Sequence, residues 1–103
     1  MRRGEVRWYK FRKPDKRRPV VILTRDSALE FLREVTVAPV TSTIRDIPSE
    51  VLLSESDGLP MTCAVNLDHI QTITKANLGS LIATLPPSRM SELRAACLFA
   101  LGF

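Results

Sequence analysis

The sequence predicts a mostly β protein with short α elements, built as a small, strongly bent sheet or barrel with a C-terminal helix packed on it. Three observations lead there. Short segments rich in Val, Ile and Thr are separated by clusters of Gly, Pro, Asp and Ser. Near the end of the chain, Met90, Leu93, Ala96, Cys97, Ala100 and Leu101 recur at the spacing of one helical face. At 103 residues, the chain has the length of a single domain over residues 1–103 with a core of its own, needing neither metal nor disulfide to fold.

The elements follow in order. Gly4 to Phe11 is rich in β-formers, and the alternation of Val6 and Trp8 with Arg7 and Tyr9 predicts a strand with one wet face. Lys13-Pro14-Asp15-Lys16 turns the chain. Pro19-Val20-Val21-Ile22-Leu23 is a continuous apolar run bounded by turn residues, which predicts a fully buried strand. Ser27-Ala28-Leu29-Glu30 has the form of a capping box, so a short helix is expected after Asp26, ending near Arg33. Val35 to Val40 resumes as strand, with Pro39 implying an edge or a bulge because it cannot donate to a ladder. Ile47–Leu53 and Thr62–Leu67 read as further strands around a turn-rich 54–60, and His69–Ile73 as another short β segment. Pro86-Pro87 stops the chain, and Ser88 is placed to cap the final helix.

Charge is distributed unevenly. Nine of the fifteen positive side chains lie in the first eighteen residues, opposed only by Glu5 and Asp15, while residues 19–103 carry more acids than bases. Such a surface favours a polyanion. Trp8, Tyr9 and Phe11 sit among these charges, and flat rings beside cations are what unpaired bases stack on while Lys and Arg hold the phosphates. Single-stranded nucleic acid is the expected partner. Cys63 and Cys97 have no His or further Cys at ligand spacing, so no metal site is expected and the thiols read as buried, in a reducing cytoplasm. No apolar run approaches a membrane span, and no signal peptide is read at the start.

With the elements placed, several blocks together resemble the MazF/PemK toxin family, RNA-cleaving partners of toxin–antitoxin modules. Gly4-Glu5-Val6-Arg7-Trp8 is similar to its opening strand, Arg17-Arg18-Pro19-Val20-Val21-Ile22-Leu23 to its second, and Val37-Ala38-Pro39-Val40-Thr41-Ser42-Thr43 to its third. Gly58-Leu59-Pro60, the run Cys63 to Ile73, and Lys75-Ala76-Asn77-Leu78 resemble its later strands and terminal region. The resemblance spans nearly the whole chain. It implies an SH3-like barrel of the MazF/PemK/CcdB type, a homodimer, and a MazE-like antitoxin with an acidic disordered tail. Two departures stand out: the segment before the Arg-Pro pair lacks the family's Gly-rich, Gln-containing stretch, and Glu5 stands where Asp is common.

The resemblance also implies an activity: sequence-selective endoribonuclease cleavage of single-stranded RNA, leaving a 2′,3′-cyclic phosphate and a 5′-hydroxyl. RNA supplies its own nucleophile, so the enzyme needs only to align the 2′-hydroxyl, stabilise the crowded phosphate and manage two protons, with no cofactor. By that analogy Arg18 and Thr41 are the catalytic pair. Arg18 offers a planar fork of donors to phosphate oxygens, and Thr41 can donate to an oxygen or orient the attacking hydroxyl. Taken alone, Arg18 is a surface charge and Thr41 a β-former at a strand end; the family register assigns the roles. RNA-binding roles fall to Trp8, Arg12, Lys16, Arg17, Ser42 and Thr43. Histidine is the usual acid or base in RNA cleavage, but His69 has no second histidine to work with and falls on no catalytic position of the family, so substantial activity is expected without it. The proton acceptor stays open. Two other readings compete: a CcdB-like, non-enzymatic DNA gyrase poison acting through a C-terminal end such as Phe99-Ala100-Leu101-Gly102-Phe103, and an RNA-binding barrel without catalysis.

Overall fold

Antiparallel pairing organises the chain around one long central strand. The computed structural model describes residues 1–11 and 17–103. Among them are strands β1 (Glu5–Lys10), β2 (Arg17–Ile22), β3 (Glu34–Thr41), β4 (Glu50–Leu53), β5 (Cys63–Asn66), β6 (Gln71–Thr74) and β7 (Leu78–Thr84), with helices α1 (Asp26–Leu29) and α2 (Pro87–Leu101). The strand order is β4-β5-β3-β2-β1-β7, with β6 also pairing β3. The expected mostly β architecture with a C-terminal helix is what forms.

The continuous apolar run of β2 is explained by its two covered faces. Val20, Val21 and Ile22 are all fully buried. Val21 faces a large core with Val6, Val65, Leu67 and Leu93, while Val20 and Ile22 face a smaller one with Leu29, Val35, Val37 and Ile73. Along β1, Val6 joins the large core and Tyr9 packs against the small one, so neither face is simply wet. Arg7 sits between them in an ion pair with Glu5 at 2.8 Å, and it also donates to the Gly79 carbonyl.

Pro39 lies inside β3, and the ladder shows why it is tolerated. β3 pairs β6 over Glu34–Val37 and β5 over Val40–Thr41, so it changes partner where Pro39 stands. Thr36 turns both its N–H and its carbonyl toward the β2 side, bonding Thr24 Oγ1 and the Leu23 N–H. Backbone groups alternate sides along a strand, so the nitrogen of Pro39 faces the interval between β6 and β5, where no ladder bond is required.

Several expectations are corrected. The box at Ser27 does not form: α1 begins at Asp26 after Arg25 and has no side-chain cap. A capping box occurs instead at Ser54–Asp57, where the Asp57 carboxylate accepts the Ser54 N–H at 3.0 Å and Gly58 closes the turn at φ +93°. Residues 67–69 form a 3₁₀ turn, so β6 starts only at Gln71. Ser88 does not cap α2; the helix opens with Pro87, whose missing N–H costs nothing in a first turn. Leu93 and Ala96 are buried and Met90, Cys97 and Ala100 pack beside them, but Leu101 is exposed. Strand β7 has no clear signal in the sequence, because Gly79-Ser80 interrupts it and it lies at the edge, with irregular register against β1. Gly79 serves a close approach there, since a Cβ would stand 3.3 Å from both Cβ and the carbonyl oxygen of Trp8.

Candidate active site

The β2–β3 register brings Arg18 and Thr41 together. Val20 opposes Pro39 and Val21 opposes Ala38, and the same register continued by two residues sets Arg18 opposite Thr41. Directly opposed residues share a face, so the guanidinium and the hydroxyl project on the same side. Both line a cleft of about 500 Å³. Ser42 and Thr43 extend its rim past the end of β3, and Leu59, Pro60 and Met61 form its apolar wall. Arg18 and Thr41 also line a second, smaller cleft of about 230 Å³ with Arg45, Glu50, Asn66 and His69.

The hydroxyl of Thr41 has a defined polarity. Its Oγ1 accepts the Thr43 N–H at 3.1 Å, which commits a lone pair and leaves the O–H as the group that can donate into the cleft. Alternation along β2 sends Arg17 to the other face, where its guanidinium lies 4.5 Å from the centre of the Trp8 ring. This stacked pair lines the larger cleft, with an open edge of indole beside a positive charge. Tyr9 and Phe11 turn toward the small core and meet edge to face at 4.8 Å, so of the three N-terminal aromatics only Trp8 lines that cleft. Arg12 and Lys16 lie outside the described residues.

The apolar wall is tied to the final helix. Arg89 of α2 donates to Asp57 at 3.0 Å and to Glu92 at 2.8 Å. The guanidinium, joined by the Ser54 N–H and opposed by burial, holds the Asp57 carboxyl below the ordinary aspartate value; these bonds in turn push Arg89 upward. Cys63 lies buried at the cleft floor, and burial together with the Asp57 charge pushes its thiol up, the direction of an unreactive cysteine. Among the described residues, no group of three His, Cys, Asp or Glu side chains is placed to hold a metal ion.

Sequence reasoning does not single out Met61, Arg45 or Asn66. Gly58-Leu59-Pro60 is the available signal for the wall, as a left-handed turn feeding a proline; Arg45 and Asn66 carry no local mark. On the other face, Glu50 Oε1 accepts the N–H groups of Arg45 and Asp46 at 2.9 and 3.1 Å, holding Asp46 at φ +54° and shaping the loop beside the smaller cleft.

Comparison with known proteins finds relatives in both sequence and fold. A probable endoribonuclease MazF5 of Mycobacterium tuberculosis is 45% identical over 96 residues, covering 92% of this chain and 84% of the relative. The solved structure of the Mycobacterium tuberculosis toxin MazF-mt6 superposes with a TM-score of 0.88 at 35% identity, over 96% of this chain and 97% of that one. A mycobacterial endoribonuclease in complex with its cognate antitoxin gives a TM-score of 0.89 at 29% identity, over 100% and 96%. The model of PemK-like, MazF-like toxins matches residues 2–100, and the chain belongs to that family of type II toxin–antitoxin toxins.

Proposed function

We propose that this toxin endoribonuclease cuts single-stranded RNA without a metal, by attack of the RNA's own 2′-hydroxyl on the adjacent phosphorus. The observation that carries the reading is the opposition of Arg18 and Thr41 across β2 and β3 at the edge of a cleft. Arg18 donates to the non-bridging oxygens as charge accumulates, and the Thr41 hydroxyl donates to the same phosphate. Charge stabilisation is the role suited to Arg18, since a guanidinium is too weak a base to take the 2′-hydroxyl proton. The 2′-hydroxyl gives up its proton as its oxygen bonds to phosphorus, the bond to the 5′-oxygen breaks, and that oxygen takes up one proton, so the step is proton-neutral. The products are a 2′,3′-cyclic phosphate and a 5′-hydroxyl.

Trp8 and Arg17 form a stacking and phosphate-holding platform beside the reacting bond, with Ser42 and Thr43 as donors at the rim. Arg12 and Lys16 serve as further RNA-binding cations. The chain works in the cytoplasm as a homodimer. Its antitoxin is a MazE-like protein whose acidic, disordered segment folds onto the cationic cleft and competes with RNA. No helix among the described residues is long and apolar enough to cross a membrane. The test is cleavage of a defined single-stranded RNA by folded Arg18→Ala and Thr41→Ala variants: each should lose on the order of 100- to 1,000-fold in rate. Wild-type rates in both would reject the assignment.

A further inference from the structure

His69 is the chain's only histidine, and it lines the smaller cleft with Arg18 and Thr41. Its ring is oriented by a directional chain of hydrogen bonds. The buried Ser49 hydroxyl donates to the Asp68 carboxylate, and the Asp68 N–H donates to Asn66 Oδ1 at 2.9 Å. That bond fixes the Asn66 amide, because its oxygen is the end that accepts. Its Nδ2 therefore faces His69 Nδ1, at 3.3 Å, and donates to it. In the neutral ring the proton then resides on Nε2, at the opposite edge. A ring in this tautomer presents a donor there and no lone pair for the 2′-hydroxyl proton.

We propose that His69 is a specificity residue for RNA: an Nε2–H donor, set by Asn66, that reads an acceptor atom on the nucleobase beside the cleaved bond. This rests on the endoribonuclease reading of the Arg18–Thr41 site. A base suits the smaller cleft because donors and acceptors line it together, Arg45 and His69 beside Glu50 and Asn66, and a base edge carries both kinds of group whereas a phosphate only accepts. Asn66 is the positioning residue, acting through the ring.

Two measurements test it. With one histidine in the chain, long-range ¹H–¹⁵N NMR of the wild-type protein reads its tautomer without ambiguity. The expected result is a protonated Nε2 and an unprotonated Nδ1, inverted in Asn66→Asp, whose carboxylate can only accept. A protonated Nδ1 in the neutral wild-type ring overturns the proposal. The second measurement is cleavage of an RNA pool randomised around the cut. Loss of one hydrogen bond in His69→Ala should weaken the preference for one flanking base by about 2- to 10-fold. His69→Gln, whose amide can still donate, should retain it, and Arg18→Ala should cut slowly with the preference intact. An unaltered preference in His69→Ala, or none in the wild type, rejects the base contact. A wild type that cuts no RNA defeats the endoribonuclease mechanism and the base contact with it, and the spectrum still decides the tautomer on its own.

Discussion

Replacing Arg89 with Met should loosen the wall of the cleft while keeping most of the aliphatic stem in place. The Asp57 side chain is 6% exposed and that of Arg89 28%, so the bond between them is largely shielded from water. Its loss leaves the carboxylate with the Ser54 N–H, and a hydrogen bond between charged groups in such a setting is worth about 1.5–3 kcal/mol. The bond to Glu92 contributes little, because Glu92 is half-exposed and only one turn away. For a chain of this size the expected fall in melting temperature is on the order of 10 °C. Since the folded Asp57 carboxyl is held below its ordinary value of 3.8, the stabilisation is complete above that value and is lost as pH falls through the folded one. Urea denaturation at pH 7 should therefore separate Arg89→Met from the wild type, and the gap should close below about pH 4. Leu59, Pro60 and Met61 follow the anchored turn into the cleft, so KM for RNA should rise with kcat little changed. A gap independent of pH would refute the assignment of the stabilisation to this pair.

Gly58→Ala should destabilise the same turn by about 1–2 kcal/mol, the cost of a side chain in the left-handed region, and more because its Cβ would meet that of Ala83 at 2.9 Å; thermal unfolding against a surface Gly102→Ala control reads the difference. Trp8→Ala should weaken RNA binding by removing a stacking surface worth about 1–3 kcal/mol, measured by fluorescence anisotropy of a labelled oligonucleotide, and unchanged affinity would remove Trp8 from the interface. Replacing Arg12, Lys16 and Arg17 together should flatten the dependence of binding on salt by about 0.7 in log–log slope for each phosphate no longer neutralised, and an equal slope would mean that these charges face away from RNA.

Legibility in the sequence depends on how local each signal is. The apolar run of β2, the α2 face through Leu93 and Ala96 and the proline inside β3 can be read because each rests on a few adjacent residues. Strand β7 cannot, since its pairing with β1 is long-range and its Gly79 serves contact with Trp8 rather than a turn. Ser27 and Ser88 have the composition of caps, yet α1 starts at Asp26 and α2 at Pro87, ahead of both serines. At the site, Arg18 and Thr41 are named from family register, and their opposition is a consequence of β2–β3 pairing across a helix and two turns. His69 shows the limit most plainly. Its residue type suggests acid–base chemistry, while its tautomer depends on the Asn66 amide, which is itself oriented by the backbone of Asp68.

RNA cleavage by the RNA's own hydroxyl, at a site holding Arg18 and Thr41, leaves a chemical signature on the new ends. Incubating the purified protein with a single-stranded RNA in excess EDTA, and determining the chemistry of the new ends, tests it most directly. Cleavage should survive the chelator and leave 2′,3′-cyclic phosphate and 5′-hydroxyl ends, both lost in Arg18→Ala. Cleavage that returns only with added magnesium or manganese, or that leaves a 5′-phosphate, would contradict that mechanism.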